Sequence, residues 1–204
     1  WADKQAFAFC SEIKGLFALD KIPRAIRPES MAQLFTFWST LTPDTTFKGI
    51  YELPPGHHML VKQDDVKIEK YWSMDYGSAG QQELKSISST AAELEELFKD
   101  AIKIRLRADV QVGAYLSGGL DSSLTTAYIH EIDPGGLNTF SIGFKDKSFD
   151  ETQYQLEVSE RFNTKHASFE CNSEDIANNF ADTIWHTESP ILRTSPTPMF
   201  MLSK

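Results

Sequence analysis

The segment AYLSGGLDSS at residues 114–123 joins a short apolar run to a helical pattern, and it constrains the fold more than any other stretch of the chain. Residues 112–116 predict a buried β-strand, and residues 122–131 predict a helix. Gly118 and Gly119 carry no Cβ atom, so the backbone N–H groups between the two elements can turn toward an anion. The positive end of the helix dipole points at the same place. The segment therefore predicts an anion-binding loop of the kind that holds phosphate.

Asp121 is the unexpected member of this loop, because a carboxylate repels phosphate unless a divalent cation lies between them. The hydroxyl groups of Ser117, Ser122 and Ser123 add hydrogen-bond donors. We therefore predict a Mg²⁺ ion that bridges the Asp121 carboxylate and phosphate oxygens. The alternative is an ordinary strand–turn–helix connection in which Asp121 or Ser122 caps the helix.

The second half of the chain alternates between strand and helix patterns after an amphipathic helix at residues 91–107. This alternation predicts an α/β fold with a parallel sheet and helices on both faces. The predicted strands cover 112–116, 139–144 and 165–169, and the predicted helices cover 122–131, 150–162 and 173–185. In such sheets, ligands bind beyond the carboxyl ends of the strands, where the strand order switches. The glycine loop lies at such an end.

The first part of the chain, to about residue 76, combines short strands and helices with turn signals. Residues 5–10 predict a weak strand, 11–19 a short helix, and 31–39 a helix with Pro28 in its first turn. Residues 56–61 and 66–72 predict a β-hairpin. The polar stretch DYGSAGQQ at 75–82 predicts a linker. The expected domains are therefore 1–76 and 83–204, joined by a linker at 77–82.

Composition excludes several classes of protein. The formal net charge is −9 and the basic residues are scattered, which argues against a nucleic-acid partner. No apolar run reaches the roughly 20 residues of a membrane span.

Cys10 and Cys171 stand far apart and in no metal-ligand spacing, which predicts a reducing, cytoplasmic location. We expect Cys10 to be a buried structural thiol. The chain starts at Trp1 and stops within an apolar helical pattern, so we expect an internal piece of a longer protein.

The loop resembles the PP-loop, S-G-G-x-D-S, of the ATP pyrophosphatase superfamily, and it matches neither the Walker pattern nor the dinucleotide fingerprint. The resemblance implies an enzyme that cleaves ATP between the α- and β-phosphates, with the loop holding the departing pyrophosphate. The following strand, TFSIGF, resembles the segment that lies beside adenine in these enzymes. A plain buried strand is the alternative for that segment.

The wider sequence resembles glutamine-hydrolysing asparagine synthetase, on segments that run through the whole chain. These segments are FAFCSEIKGL, FKGIYELPPGHHMLV, YWSMDY, AYLSGGLDSS, FSIGF and ESPILRTSPTPMFMLSK. The family implies the end of an antiparallel-sheet glutaminase domain, followed by the first half of a synthetase domain. It implies ATP, Mg²⁺, aspartate and glutamine as cofactor and substrates, and a homodimer is an option for the full-length protein. The reaction implied is adenylation of the aspartate side chain and its amidation by glutamine-derived ammonia.

The resemblance assigns roles to individual positions. Ser117, Gly118, Gly119, Asp121 and Ser122 match the pyrophosphate loop, and Asp121 matches the magnesium ligand. Leu116 and Ile142 match positions that line the nucleotide.

Arg193 is a candidate clamp for aspartate or phosphate, with a surface salt bridge as the alternative. His57 and His58 are adjacent and poorly placed for zinc, so we expect them to serve the hairpin. The aromatic cluster around Leu34 and Trp38 is expected in a core or a domain interface.

Two departures from the family and three alternatives remain at this stage. The glutaminase nucleophile of the family is an N-terminal cysteine, which Trp1 is not, and the second synthetase motif would lie beyond Lys204. We therefore expect this stretch alone to be inactive. The alternatives are an enzyme of the same scaffold that acts on another carboxylate, such as a β-lactam-type synthetase or an amidotransferase, a non-catalytic nucleotide-binding module, and a tRNA-modifying enzyme. The net charge speaks against the last of these.

Overall fold

The computed structural model describes residues 1–62, 65–77, 85–148 and 150–204. The chain forms two compact units. The first unit comprises Trp1–Gly80 and Phe180–Thr194, and the second comprises Gln81–Asn179 and Ser195–Lys204. Of the predicted linker at 77–82, only Gly77 lies within the described residues, so the predicted domain boundaries stay a prediction.

Two short helices open the first unit. Helix α1 spans Ile13–Leu16 and helix α2 spans Pro28–Phe37. Pro28 occupies the first turn of α2, where its missing N–H costs no hydrogen bond. Trp38 closes the helix in the left-handed conformation, with φ of 65°, and its N–H bonds to the carbonyl of Leu34. Both predicted helices are confirmed, although α1 is shorter than expected.

The predicted hairpin is confirmed. Strand β1 (His57–Lys62) pairs antiparallel with β2 (Asp65–Lys70), in a register that sets His57 opposite Lys70. His57 Nδ1 lies 2.8 Å from the carbonyl oxygen of Pro55, and His58 Nε2 lies 3.2 Å from a carboxylate oxygen of Glu69. Both histidines thus serve the hairpin, as expected. Residues 63 and 64 of the connecting turn lie outside the described part of the chain.

The core of the first unit is small, and it corrects two expectations. Leu16, Ile22 and Ile50 are buried together. Cys10 is exposed, so the prediction of a buried thiol is wrong. The weak strand predicted at 5–10 does not form, because only an isolated bridge joins Phe7 to Ala2, and no sheet is there to cover the cysteine.

Helix α2 buries much less of its aromatic cluster than the sequence suggests. Leu34 is 2% exposed, whereas Phe35, Phe37 and Trp38 are all more than half exposed. A core position is therefore confirmed only for Leu34, and a domain interface for the exposed members stays a prediction. A run of large apolar residues does not show by itself which of its members another element will cover.

The second unit alternates helices and strands as predicted. Its elements are α3 (Ile87–Arg105), β3 (Gly113–Tyr115), α4 (Leu120–Ile132), β4 (Asn138–Phe144), α5 (Thr152–Arg161), β5 (Lys165–Cys171), α6 (Ser173–Thr187), of which the first part belongs to this unit, and α7 (Pro196–Ser203). Ser86 caps α3, because its side chain accepts a hydrogen bond from the N–H of Ser89. Each strand follows a helix, which is the pattern of an α/β fold.

The three strands of this unit form one parallel sheet in the order β3-β4-β5. Gly113 pairs with Asn138, and Asn138 pairs with Lys165. The predicted α/β fold with a parallel sheet is therefore confirmed. Residues 116–119 follow the carboxyl end of β3, as predicted. The strand order does not reverse among these three strands, so a position at a switch point stays a prediction.

A compact apolar cluster holds α3, β3 and α4 together. Ile102, Ala114, Ile129 and Leu137 are buried in it, and the Phe98 and Tyr128 rings pack edge to face with centroids 5.7 Å apart. None of the helices among the described residues is both long enough and apolar enough to cross a membrane. The cluster lies behind the glycine loop, since Ala114 is in β3 and Ile129 is in the helix that follows the loop.

We expect Ile102→Ala to lower the free energy of unfolding of the second unit by about 2–5 kcal/mol, because the truncation leaves a cavity in this cluster. Urea unfolding followed by far-ultraviolet circular dichroism measures the loss. Ile104→Ala on the same helix is the matched control. Ile104 is 51% exposed, and its truncation should change stability by less than about 1 kcal/mol. Equal losses in the two variants would contradict the assignment of the core.

Candidate functional site

The glycine loop starts from a firmly held strand end. Leu116 is fully buried, and its N–H donates to the carbonyl of Phe140 over 2.8 Å, which continues the pairing of β3 with β4 by one step. The hydroxyl of Ser141 donates a hydrogen bond to the carbonyl of Leu116. Both backbone polar groups of Leu116 are therefore satisfied, and the chain is free to leave the sheet at Ser117.

The serine side chains tie the loop to itself. Ser122 Oγ accepts from the N–H of Ser117 over 3.2 Å and lies 3.0 Å from Ser117 Oγ. It also donates to the carbonyl of Gly119 over 3.1 Å. Ser117 Oγ in turn accepts from the N–H of Gly119 over 3.3 Å. The predicted loop residues Ser117, Gly119 and Ser122 therefore form one hydrogen-bonded unit.

Gly118 is the position where the loop needs a glycine. Its φ of +86° is a backbone conformation that residues with a side chain rarely adopt. A Cβ atom on Gly118 would also lie 3.0 Å from Tyr154 Cβ and 3.1 Å from the carbonyl oxygen of Glu151. The loop thus passes directly against the start of α5, and this contact leaves no room for a side chain.

The helix that leaves the loop presents an uncapped N-terminus. Gly119 occupies the capping position of α4 with an extended backbone, and no side chain caps the helix there. The first N–H groups of α4 consequently lack the acceptor that a capping residue supplies. Uncapped N–H groups at a helix N-terminus bind anions well. The alternative in which Asp121 or Ser122 caps the helix is not what the structure contains.

Asp121 lies exposed in the first turn of α4. Among the residues that the structure describes, no group of three or more histidine, cysteine or acidic side chains could hold a metal ion by itself. A single carboxylate such as that of Asp121 is compatible with Mg²⁺, which commonly binds one or two carboxylates and fills its other positions with substrate phosphates and water. The magnesium site at Asp121 stays a prediction.

A cavity of about 240 Å³ opens beside the loop. Leu116, Ser117 and Ile142 line it together with Gln155 and with Pro198 and Met199 of α7. The structure therefore brings Leu116 and Ser117 together with Ile142 around one cavity. The other predicted loop positions, Gly118, Gly119, Asp121 and Ser122, do not line it. Sequence reasoning missed Gln155, because a glutamine within a polar helix gives no signal that it is buried.

A second acid lies at the end of β4. Asp150 accepts a hydrogen bond from the Thr152 hydroxyl over 2.5 Å and from the Thr152 N–H over 3.3 Å. The bond from the Thr152 hydroxyl is the main cause that lowers the pKa of Asp150 below its usual value. Asp150 is therefore ionised at neutral pH. A Cβ atom on Gly143, the residue after Ile142, would lie 2.9 Å from Thr152 Oγ1.

Arg193 belongs to the first unit, whereas the loop belongs to the second. Its guanidinium lies over the ring of Trp38, 4.8 Å from the ring centre. No ion pair of Arg193 occurs within the described ranges, so a cation–π contact replaces the surface salt bridge that was the alternative. The role of Arg193 as a clamp stays a prediction.

Comparison with protein families identifies the chain. Residues 93–204, which include the whole glycine loop, match the family model described as asparagine synthase. The chain belongs to the asparagine synthase family. Residues 1–72 match a glutamine amidotransferase domain, so a second domain type precedes the synthase part. Both matches agree with the resemblance drawn from the sequence.

Individual relatives give the same result. The chain is 33% identical, over 99% of its length, to a Methanocaldococcus jannaschii protein provisionally named asparagine synthetase (glutamine-hydrolyzing) 2. It is 26% identical, over 96% of its length, to asparagine synthetase (glutamine-hydrolyzing) 1 of Bacillus subtilis. It is also 26% identical, over 72% of its length, to amidase chyE of Penicillium rubens. The chain spans 39%, 30% and 24% of these three proteins, respectively.

We expect Gly118→Ala to destabilise the second unit and to weaken the binding of inorganic pyrophosphate, because the new Cβ combines an unfavourable φ with a contact against α5. The strain costs about 1 kcal/mol and the overpacking about 1–3 kcal/mol more. Thermal unfolding and calorimetric titration with pyrophosphate measure the two effects.

Gly136→Ala is the matched control for this variant. Gly136 also has a positive φ, of +97°, but the nearest atom to its added Cβ would be Lys165 Cε at an ordinary 3.7 Å. Gly136→Ala should therefore be destabilised only by the unfavourable φ, and its affinity for pyrophosphate should be unchanged. Equal behaviour of the two variants would show that the contact with α5 does not matter to the loop.

Proposed function

We propose that the chain is part of an ATP-dependent asparagine synthetase that adenylates the side-chain carboxylate of aspartate and amidates it with ammonia from glutamine. The observation that carries this proposal is the loop at residues 117–122. It joins an uncapped helix N-terminus to a cavity lined by Leu116, Ser117 and Ile142. The family membership and the amidotransferase match support the same reaction.

The reaction proceeds in two displacements. In the first, an oxygen of the aspartate side chain attacks the α-phosphorus of ATP, and the bond to the oxygen bridging the α- and β-phosphates breaks, so pyrophosphate leaves. In the second, the nitrogen of ammonia attacks the adenylated carbonyl carbon, AMP departs with the carboxylate oxygen, and a proton is lost from nitrogen. Adenylation thus replaces a poor leaving oxygen by a good one.

The loop contributes to the first displacement by stabilising charge on the departing pyrophosphate. The first N–H groups of α4 lack acceptors within the helix and supply hydrogen-bond donors. The hydrogen bonds among Ser117, Gly119 and Ser122 hold the loop in one shape before substrate binds, so little reorganisation accompanies the reaction. Asp121 would hold Mg²⁺, which neutralises phosphate charge when it is bound. Arg193 is proposed to contact aspartate or phosphate.

A second candidate function differs only in the carboxylate that is amidated. The relative from Penicillium rubens carries the name amidase although it matches across the loop region and most of this chain. An enzyme of the same scaffold that acts on another carboxylic acid, including a β-lactam-type synthetase or another amidotransferase, would use the loop in the same way. The acceptor therefore has to be determined by experiment.

A product assay with the full-length protein tests the proposal. ATP, magnesium, glutamine and one carboxylic acid are supplied, and AMP, pyrophosphate and amide are measured. Aspartate should give asparagine and equal amounts of AMP and pyrophosphate, whereas glutamate, which has a longer side chain, should give much less. Amide formation on another acid and not on aspartate would favour the second candidate function. ATP binding without any AMP release would indicate a non-catalytic nucleotide-binding module.

We expect Asp121→Asn to reduce the gain in ATP affinity that magnesium produces by about tenfold or more, because the metal loses its carboxylate ligand. ATP binding without metal should not weaken, since the negative charge that repels phosphate is gone. Isothermal titration of ATP at increasing magnesium concentrations measures both effects.

Asp133→Asn is the matched control, because Asp133 follows the opposite end of α4 and its side chain accepts a hydrogen bond from the N–H of Gly135. Its magnesium dependence should equal that of the unaltered protein. A full magnesium response in Asp121→Asn would exclude Asp121 as the metal ligand.

A further inference from the structure

Glu188 occupies a backbone position that usually holds glycine. It directly follows α6, and its N–H donates to the carbonyl of Ile184 over 3.0 Å. Its φ is +55°, a conformation that is unfavourable for a residue with a side chain and that glycine adopts readily at the end of a helix. The backbone alone therefore favours glycine, so the contacts of the carboxylate are what a glutamate adds at this position.

The Glu188 carboxylate binds two consecutive backbone groups of a distant part of the chain. Its Oε2 accepts from the N–H of Ile13 over 2.7 Å, and its Oε1 accepts from the N–H of Lys14 over 2.6 Å. Lys14 Nζ adds an ion pair at 3.5 Å. Only 15% of the Glu188 side chain and 18% of the Lys14 side chain are exposed. Because hydrogen bonds to a charged acceptor are stronger than neutral ones, this contact is a firm anchor.

The segment 188–193 makes two further contacts with the early part of the chain. Ser189 Oγ lies 3.2 Å from the hydroxyl oxygen of Thr46, and the Arg193 guanidinium stacks on the ring of Trp38. All of these residues belong to the first unit. The segment is therefore fastened at three places, and the carboxylate anchor is the only one of the three that involves a charged acceptor.

These contacts join residues that match two different families. Residues 188–193 lie within the asparagine synthase match, whereas their partners all lie within the amidotransferase match at 1–72. The chain then continues into α7, whose Pro198 and Met199 line the cavity beside the glycine loop. The segment is thus attached to the amidotransferase part and leads directly into a helix of the candidate site.

We propose that Glu188 is a positioning residue that couples the two reactions, because its carboxylate holds the segment 188–193 on the amidotransferase part. The inference rests on the proposed function, which supplies both reactions. Glu188 touches no substrate in this role and acts through the segment that it anchors. Synthesis of the amide from glutamine needs both parts in this arrangement, whereas synthesis from free ammonia needs the synthase part alone. Loss of the anchor should therefore affect the two syntheses unequally.

Amide synthesis by the full-length protein from two nitrogen sources tests this inference. Glutamine or ammonium chloride is supplied with ATP, magnesium and the acid that the product assay identifies, and amide, AMP and glutamate are measured. Glu188→Gln turns an amide donor toward one of the two N–H groups, so the anchor is lost. The rate from glutamine divided by the rate from ammonium chloride should fall by about tenfold, as expected for one lost hydrogen bond to a charged group. Glutamate released per amide formed should rise.

Glu12→Gln is the matched control, because Glu12 also pairs with Lys14, at 2.9 Å, but is 57% exposed and lies outside the segment. It should keep the rate ratio of the unaltered protein. If Glu188→Gln does not fold, Glu188→Gly replaces it, since glycine suits the positive φ and lacks the carboxylate. A merely structural role would lower both rates alike, and an unchanged ratio in the folded variant overturns the inference while the proposed function stands. Failure of the unaltered protein to form amide from either nitrogen source overturns both.

Discussion

The site depends on how the residue that follows β3 is held. Leu116 is fully buried, its N–H bonds to Phe140, and its carbonyl accepts from the Ser141 hydroxyl. These bonds use both polar groups of one residue against a single neighbouring strand, so the strand ends at a defined point. Everything that follows, from the turn at Ser117 to the direction of α4, starts from this anchor. A loop that begins from a fixed point can present its donors in one arrangement, which is what stabilisation of a developing charge requires.

Helix α5 holds the loop from its other side. It passes so close to Gly118 that no Cβ fits, and its Gln155 reaches both the loop and β4. The glycine turn and the cavity beside it are thereby parts of one packed structure. This arrangement explains why a glycine is needed at 118. The negative charges of Asp121 and Asp150 nearby are compatible with phosphate when a divalent cation lies between them.

The glycine loop and α5 both lie within the part of the chain that matches the asparagine synthase family. The amidotransferase match at 1–72 and the synthase match at 93–204 place two domain types on one chain. Relatives with the names asparagine synthetase and amidase both match across the loop region.

The sequence alone determined the features that depend on local chemistry. The two glycines with an acid and hydroxyls between a strand and a helix, the alternating strands and helices, and the hairpin at His57–Lys62 and Asp65–Lys70 were all predictable, because each follows from backbone preferences and hydrophobic period. Only the tertiary structure decided what is buried. Cys10 and Trp38 lie exposed although a phenylalanine precedes each of them, and Gln155 lies buried although its helix is polar. Burial depends on which distant segment covers a residue, and Ser117 stands 38 positions before Gln155, which is beyond the reach of any local pattern.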